Sequence, residues 1–94
     1  MPEIMSIENL KTEITRLEQQ SEHFPSILKS LVEQKIRIYK DVIENSTDQE
    51  SIKSCCNEQI STLRSTAGYL LPIDAAMYCI NIYHGILGEE KEKI

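Results

Sequence analysis

The least charged part of the chain is the run 68–88, which holds one formally charged residue, Asp74, and no lysine or arginine. Within this run, apolar residues follow a helical period on two flanks, and a thin polar strip separates the flanks. The strip consists of Asp74, Tyr78, Asn81 and Gly85. A helix that is apolar around most of its circumference must be enclosed by protein on most sides. We therefore predict a last helix that the rest of the chain, or a partner, encloses.

The first segment of the chain has a narrower apolar face. Ile7, Leu10, Ile14 and Leu17 recur at alternating three- and four-residue steps, which is the heptad spacing of a helix seam. Ser6 stands directly before this series and is a residue type favoured at helix N-caps. The pattern predicts an N-terminal helix that begins at Ser6.

Proline, glycine and capping residues mark the limits of the middle helices. Pro25 suits the first position of a second helix, because its missing N–H would have no partner there. Thr47 and Glu50 have the spacing of a capping box in front of a third helix. Gly68 suits the end of that helix, since glycine tolerates the left-handed conformation found at many helix ends.

These patterns predict one all-α domain over 1–94, with short flexible ends at 1–5 and 89–94. The helices are expected at about 6–24, 25–45, 48–67 and 72–87. Connections this short make neighbouring helices antiparallel, so we expect an up-down-up-down four-helix bundle. The alternative is that the first two helices form one rod bent at Pro25, against which a two-helix hairpin packs. That arrangement would expose part of the N-terminal seam and would favour a dimer or a bound partner.

Charge and composition exclude several classes of partner. The chain has a formal net charge of −5, and no stripe of basic residues could neutralise a run of phosphates. We therefore expect neither nucleic acid nor a membrane as a partner. The stretch 69–87 is about long enough to cross a bilayer, but Pro72, Asp74 and Asn81 interrupt it. Three cysteines, two of them adjacent, suit a reducing cytoplasm better than a disulfide framework.

The residues that could carry chemistry are few. The soft metal ligands of the chain are Cys55, Cys56, Cys79, His23 and His84. No two of them have the three- or four-residue spacing that places ligands on one helix face. The chain has no glycine-rich phosphate loop and no serine in a nucleophile elbow. We expect no cofactor, no metal site and no catalytic residue, and we interpret His84 as a structural residue near a helix C-terminus.

The candidate contact surface combines tyrosines with residues on or beside the polar strip. Lys35 lies in the middle of the apolar arc of the second helix, where a lysine usually lays its stem on the core and lifts its ammonium group into water. The alternative is that Lys35 pairs with Asp74 or with a carboxylate of a partner protein, since a lone buried charge is unfavourable. Tyrosine is a frequent anchor residue at protein interfaces. The candidate residues are Tyr69, Leu70, Tyr78, Asn81 and Tyr83, with Lys35 and Tyr39 as a second patch.

The pattern favours a non-enzymatic protein that acts by binding another protein, as a chaperone, an immunity protein, an inhibitor or a regulator does. The helices carry more apolar surface than a chain of 94 residues readily encloses, so part of that surface is available to a partner helix. The alternative function is a structural homodimer, formed through the heptad seam or the last helix. We expect the protein in the cytoplasm.

A third function follows from a local resemblance. Residues 10–17, LKTEITRL, resemble the opening of the chorismate mutase family. The resemblance implies an all-helical enzyme that binds a small dianion through arginine and lysine side chains. The chain has only Arg16, Arg37 and Arg64, and Pro25 falls where that family has one unbroken helix.

Overall fold

The computed structural model of the protein describes residues 4–89. These residues form four helices: α1 (Ile7–Ser21), α2 (Ser26–Glu44), α3 (Gln49–Thr66) and α4 (Ile73–Leu87). Within the described range there is no strand, and the helices pack as a four-helix bundle. The predicted fold class is therefore confirmed, although each helix is shorter than predicted by one to three residues at one or both ends.

The expected flexible ends, 1–5 and 89–94, lie mostly outside the described residues. Of these positions, the structure describes residues 4, 5 and 89. Ile4 and Met5 pack against the core, and the amide of Met5 donates a hydrogen bond to the carbonyl of Ile86 at 2.8 Å. This bond joins the start of the described chain to the end of α4.

The first two helices are separate elements. The chain turns at residues 22–25, where the amide of Phe24 donates to the carbonyl of Ser21 at 3.1 Å, and α2 then packs along α1. Pro25 has φ −59° and ψ 159°, which places it at the N-cap of α2 and not at the first helical position that we predicted. The bent-rod alternative is wrong, because the extended ψ at Pro25 ends one helix before the next begins.

The helix caps agree with the sequence at two positions and differ at a third. The hydroxyl of Ser6 accepts from the amide of Asn9 at 3.1 Å, as expected of an N-cap. Gly68 has φ 77° and follows the end of α3. The predicted capping box of Thr47 with Glu50 is wrong, since the side chain of Asp48 accepts from the amide of Ser51 at 2.9 Å. Aspartate is among the strongest N-cap residues, and it competes here with its neighbour.

Helix α4 contributes more buried residues than any other helix. Its buried residues are Ala76, Cys79, Ile80, Ile82, Tyr83, His84, Ile86 and Leu87. The other helices each contribute one stripe, which contains Leu10, Ile14 and Leu17 in α1, Ile36, Ile38, Tyr39 and Val42 in α2, and Ile52, Cys56 and Ile60 in α3. The outward side of α4 includes the predicted polar strip, in which no residue is fully buried. The predicted enclosure of α4 is therefore confirmed.

Two side-chain hydrogen bonds define how α2 and α4 lie against each other. The hydroxyl of Tyr78 donates to the carbonyl of Leu31 at 2.9 Å, and the amide nitrogen of Gln34 donates to the sulfur of Cys79 at 3.1 Å. Residue numbers increase together along both helices, so α2 and α4 are parallel. Leu31 and Tyr78 are each five residues into their helix, and the two helices therefore begin at the same level.

The parallel arrangement places two chain turns at one end of the bundle. The α1–α2 turn directly precedes α2, and the α3–α4 turn directly precedes α4, so both turns lie where these helices begin. The buried residues lie towards the opposite end: those of α2 begin at Ile36 and those of α3 stop at Ile60. Residues 26–35 of α2 include none that is fully buried.

The unequal burial along α4 predicts unequal costs for the same substitution. Ile80 is 0% exposed and Ile73 is 53% exposed. We expect Ile80→Ala to lower the free energy of unfolding by about 2–5 kcal/mol, because it removes buried methyl groups and leaves a cavity. Ile73→Ala is the matched control and should cost less than about 1 kcal/mol. Urea denaturation followed by circular dichroism measures both values, and equal losses would contradict the described core.

Candidate partner-binding surface

The exposed large apolar side chains of the described residues all belong to the two turns and the adjoining helix ends. They are Phe24, Ile27, Leu28 and Leu31 around the α1–α2 turn, and Tyr69, Leu70, Leu71 and Ile73 around the α3–α4 turn. Both turns lie at the same end of the bundle, and we call these eight residues together the apolar end.

The α3–α4 turn that carries half of the apolar end is held by backbone hydrogen bonds. The amide of Gly68 donates to the carbonyl of Leu71 at 2.7 Å. The amides of Leu70 and Leu71 both donate to the carbonyl of Thr66, at 2.9 and 3.1 Å. Tyr69 and Leu70 therefore project from an ordered turn, at 83% and 71% exposure.

The apolar end has a large area in total. The eight exposed fractions add up to about four and a half whole residues. At roughly 200 Å² for each large side chain, the apolar end exposes on the order of 900 Å². The four residues of each turn supply about half of this area, which is within the ~300–600 Å² of the largest apolar patch on a typical monomer. The two turns together approach the ~800 Å² that each partner buries in a protein interface of standard size.

A groove of about 360 Å³ lies between α2 and α4, beside the apolar end. It is lined by Lys35, Tyr39, Tyr78, Asn81, Ile82 and Gly85, and we call it the α2–α4 groove. Tyr78 connects the two regions, since its ring lines the groove and its hydroxyl reaches the carbonyl of Leu31 in the apolar end.

The groove has one charged side chain and two neutral phenols. The ammonium nitrogen of Lys35 lies 5.7 Å from the centroid of the Tyr39 ring, within the range of a cation–π contact. Burial raises the pKa of Tyr39 to about 12 and also raises the pKa of Tyr78. Both phenols are therefore protonated near neutral pH.

The structure brings together most of the residues predicted for the contact surface. Four of the seven, Lys35, Tyr39, Tyr78 and Asn81, line the α2–α4 groove. Tyr69 and Leu70 lie in the apolar end.

Tyr83 is the member of the predicted set that does not belong to the surface. It is 6% exposed and packs in the core, where burial raises the pKa of its hydroxyl. The physical reason is that both apolar flanks of α4 are buried against the other helices, and Tyr83 lies on one of these flanks and not on the polar strip. We therefore remove Tyr83 from the candidate surface.

The prediction also missed residues of the surface. Gly85 lines the groove, and six apolar residues share the apolar end with Tyr69 and Leu70. A signal was present in the sequence: the runs 24–28 and 65–73 contain no charged side chain, and both proved to lie at turns.

The cysteines of the chain lack the features of an activated nucleophile. Cys56 and Cys79 are buried in the core, as expected, and burial raises the pKa of both thiols, to about 12 for Cys56. Cys55 is half-buried, and its thiol pKa is raised by burial and by the nearby carboxylates of Glu58 and Asp41. Residues 4–89 contain no group of three side chains that could hold a metal ion.

The remaining candidate residues lie apart from the groove. His84 is buried near the end of α4, with its Nδ1 3.6 Å from a carboxylate oxygen of Glu89. Arg16 pairs with Glu13 on α1 at 2.6 Å. Neither Arg16 nor the other two arginines line the α2–α4 groove.

Comparisons of the chain with protein-family models, curated proteins and solved structures found no match. Among the helices of the described residues, none combines the length and the apolar character needed to cross a membrane. The fold and the surface together define a small helical bundle with one apolar end and one adjoining groove.

Gly85 is a glycine that the fold does not require. A Cβ atom added at Gly85 would meet nothing within 4 Å, whereas one added at Gly68 would lie 3.3 Å from the side chain of Ile73. We expect Gly85→Ala to raise the free energy of unfolding by about 0.5–1 kcal/mol, because alanine loses less backbone entropy in a helix. Gly68→Ala should lower it, since Gly68 has φ 77°. Thermal and urea denaturation test both signs, and a loss of stability in Gly85→Ala would contradict the open space above it.

The raised pKa of Tyr39 predicts a loss of stability at high pH. The ordinary pKa of this hydroxyl is 10.0, and burial raises it to about 12, so ionisation is resisted in the folded state. The stability of the fold that depends on a neutral Tyr39 hydroxyl is fully present below pH 10 and is lost as the pH rises towards 12. Between pH 7 and pH 11, Tyr39→Phe should reduce the fall in unfolding free energy by about 1.4 kcal/mol, because pH 11 lies one unit above the ordinary pKa.

The control for this measurement is Tyr69→Phe, which changes an exposed ring. Urea denaturation at pH 7, 10 and 11 gives the change of unfolding free energy with pH for each variant. We expect Tyr69→Phe to show the same pH dependence of unfolding free energy as the unmodified chain. If Tyr39→Phe shows it too, the burial of the Tyr39 hydroxyl is contradicted.

Proposed function

We propose that this chain is a non-enzymatic binding module that binds another protein through its apolar end. The observation that carries the proposal is that every exposed large apolar side chain of residues 4–89 lies at one end of the bundle. Apolar residues scattered singly are ordinary on a protein surface, but their concentration at one end of a domain commonly marks an interaction site.

The construction of the α3–α4 turn supports binding through this end. Its backbone is already hydrogen-bonded in the free chain, so a partner would not have to order it. Tyr69 is the most exposed of the eight residues, and tyrosine is enriched among the anchor residues of interfaces. An ordered turn that presents an aromatic ring and neighbouring leucines suits a protein partner.

Charge supports a protein partner over nucleic acid or an anionic membrane. The net charge is −5, and no charged residue occurs in the two runs that form the turns. A partner with an apolar contact face and a neutral or basic surround would meet the least repulsion. Chaperones, immunity proteins, inhibitors and regulators are the functional classes that work in this way. The three free thiols suit a cytoplasmic location, which we also propose.

Self-association is the second candidate, because the apolar end is about as large as one side of a standard interface. A homodimer would be concentration-dependent in the purified protein, whereas a module for another protein would stay monomeric when alone. Binding is favoured over a chorismate-mutase-like activity because no arginine lines the groove that could hold a small anion.

Site-specific crosslinking in cells of the native host tests the proposed function. A photoreactive phenylalanine analogue replaces Tyr69, and the matched control carries it in place of Glu58, which is exposed on α3. We expect a discrete adduct from position 69 alone. A second change, Leu70→Asp, should reduce this adduct by about tenfold or more, because losing an interface anchor costs about 1.4 kcal/mol or more.

The mass of the adduct separates the two candidates. An adduct of twice the 10.8 kDa chain indicates the homodimer, and any other discrete mass indicates a different protein. Equal labelling from positions 69 and 58, or an adduct that survives Leu70→Asp unchanged, would refute binding through the apolar end.

A further inference from the structure

We propose that residues 26–31, the first turns of α2, unwind readily in the free chain and are held in the helix when a partner covers the apolar end. The ordering by a partner rests on the proposed function. The unwinding is a property of the free chain, and it follows from the burial, the capping and the charges of this segment.

The first turns of α2 have little tertiary support. Every residue from Glu22 to Leu31 is exposed, and the first fully buried residue of α2 is Ile36. Most of the stability of a helix in a protein comes from the packing of its apolar face, since isolated helices shorter than about 12–15 residues are marginal in water. Residues 26–31 therefore depend on the rest of α2 to remain helical.

The start of α2 also lacks the local interactions that stabilise two other helix starts in this chain. Ser6 and Asp48 cap α1 and α3 with side-chain hydrogen bonds, whereas Pro25 makes no side-chain capping bond to α2. The first turn of α2 contains no acidic residue, and Lys29 is its fourth residue. A positive charge near the N-terminus of a helix opposes the helix dipole and lowers the stability of the first turn.

Helix α4 provides a comparison within the same molecule, because it begins at the same level and also follows a proline. Pro72, like Pro25, makes no side-chain capping bond. In α4, however, the acidic Asp74 lies in the first turn, and Ala76, the fourth residue, is buried. The two helix starts therefore occupy equivalent positions but differ in the support that they receive.

The unwinding is limited by the first attachment of α2 to α4. The hydroxyl of Tyr78 donates to the carbonyl of Leu31 at 2.9 Å, and the next residue, Val32, packs against the core. Both contacts are lost if α2 unwinds beyond Leu31. We therefore place the limit of the unwinding segment at that residue.

A partner at the apolar end would supply the support that the chain itself lacks. Ile27 and Leu28 precede Leu31 by four and three residues, so the helical conformation places all three side chains on one face. A partner that binds this face favours the helical state, and part of its binding free energy is used to order the segment. The α1–α2 side of the apolar end would thus become ordered on binding, whereas the backbone of the α3–α4 turn is already held by hydrogen bonds.

Amide hydrogen exchange of the isotope-labelled full chain, followed by nuclear magnetic resonance, tests the unwinding. The amides of Lys29 and Ala76 make matching first bonds of their helices, at 2.9 and 3.0 Å to the carbonyls of the prolines that precede α2 and α4. We expect the amides of residues 29–31 to be protected from exchange about tenfold less, or lower still, than those of residues 76–78. Equal protection at the two helix starts would overturn the proposal.

The substitution Ser26→Glu tests the cause, because it adds an acidic side chain to the first turn of α2. It should slow exchange at residues 29–31 by about two- to fivefold, since a negative charge stabilises a helix N-terminus. Ser26→Gln is the matched control, with a side chain of the same length and no charge, and should slow exchange less. If Ser26→Glu leaves exchange at residues 29–31 unchanged, the first turn is not the weak point and the proposal is overturned.

The adduct formed from position 69 tests the ordering by a partner. Exchange measured by mass spectrometry should be about tenfold slower in the adduct than in the free chain for peptides that contain residues 26–31. Peptides from residues 52–60 of α3, which lie in the core, should be unchanged. Unchanged exchange at residues 26–31 would overturn the ordering and leave the proposed function standing. Absence of any adduct would overturn the proposed function and the ordering together, while the comparison with α4 would still decide the unwinding.

Discussion

Enclosure of α4 is the constraint on which the rest of the structure depends. This helix is apolar on two flanks, and eight of its fifteen residues are buried, whereas each of the other helices buries a single stripe. The free energy gained by removing apolar surface from water is greatest where α4 is covered, so the neighbouring helices are arranged around it. One consequence is the parallel placement of α2 beside α4. That placement brings both hairpin turns to the same end of the bundle.

Covering α4 leaves too little protein to cover α2 along its whole length. The apolar arc of α2 extends from its first turn to its last, but its buried residues begin only at Ile36. Ile27 and Leu28 are exposed, and so are the residues of the turn before α4, at the same end of the bundle. The apolar end is therefore a result of the same shortage of covering surface that a small domain always faces.

The sequence predicted features that depend on a single helix, and it did not predict features that depend on how two helices pack. The periods of the four segments and the polar strip of α4 are local features, and they were predicted. Tyr83 was misplaced because tyrosine occurs both at interfaces and in cores, and both apolar flanks of α4 are buried. The α2–α4 groove joins Lys35 to Gly85, fifty residues apart, and only the packing of the hairpins brings them together. The cap of α3 differed by one residue because Thr47 and Asp48 are adjacent and both are competent caps.

In the function that we propose, the apolar end supplies the contact area. An apolar region gains free energy from almost any apolar partner, so the apolar end would by itself give affinity with little selectivity. The α3–α4 turn adds a fixed shape, since hydrogen bonds from the amides of Gly68, Leu70 and Leu71 hold its backbone where Tyr69 projects. Little entropy would be lost in ordering such a turn, and selectivity would come from the fit of a partner's surface to that shape.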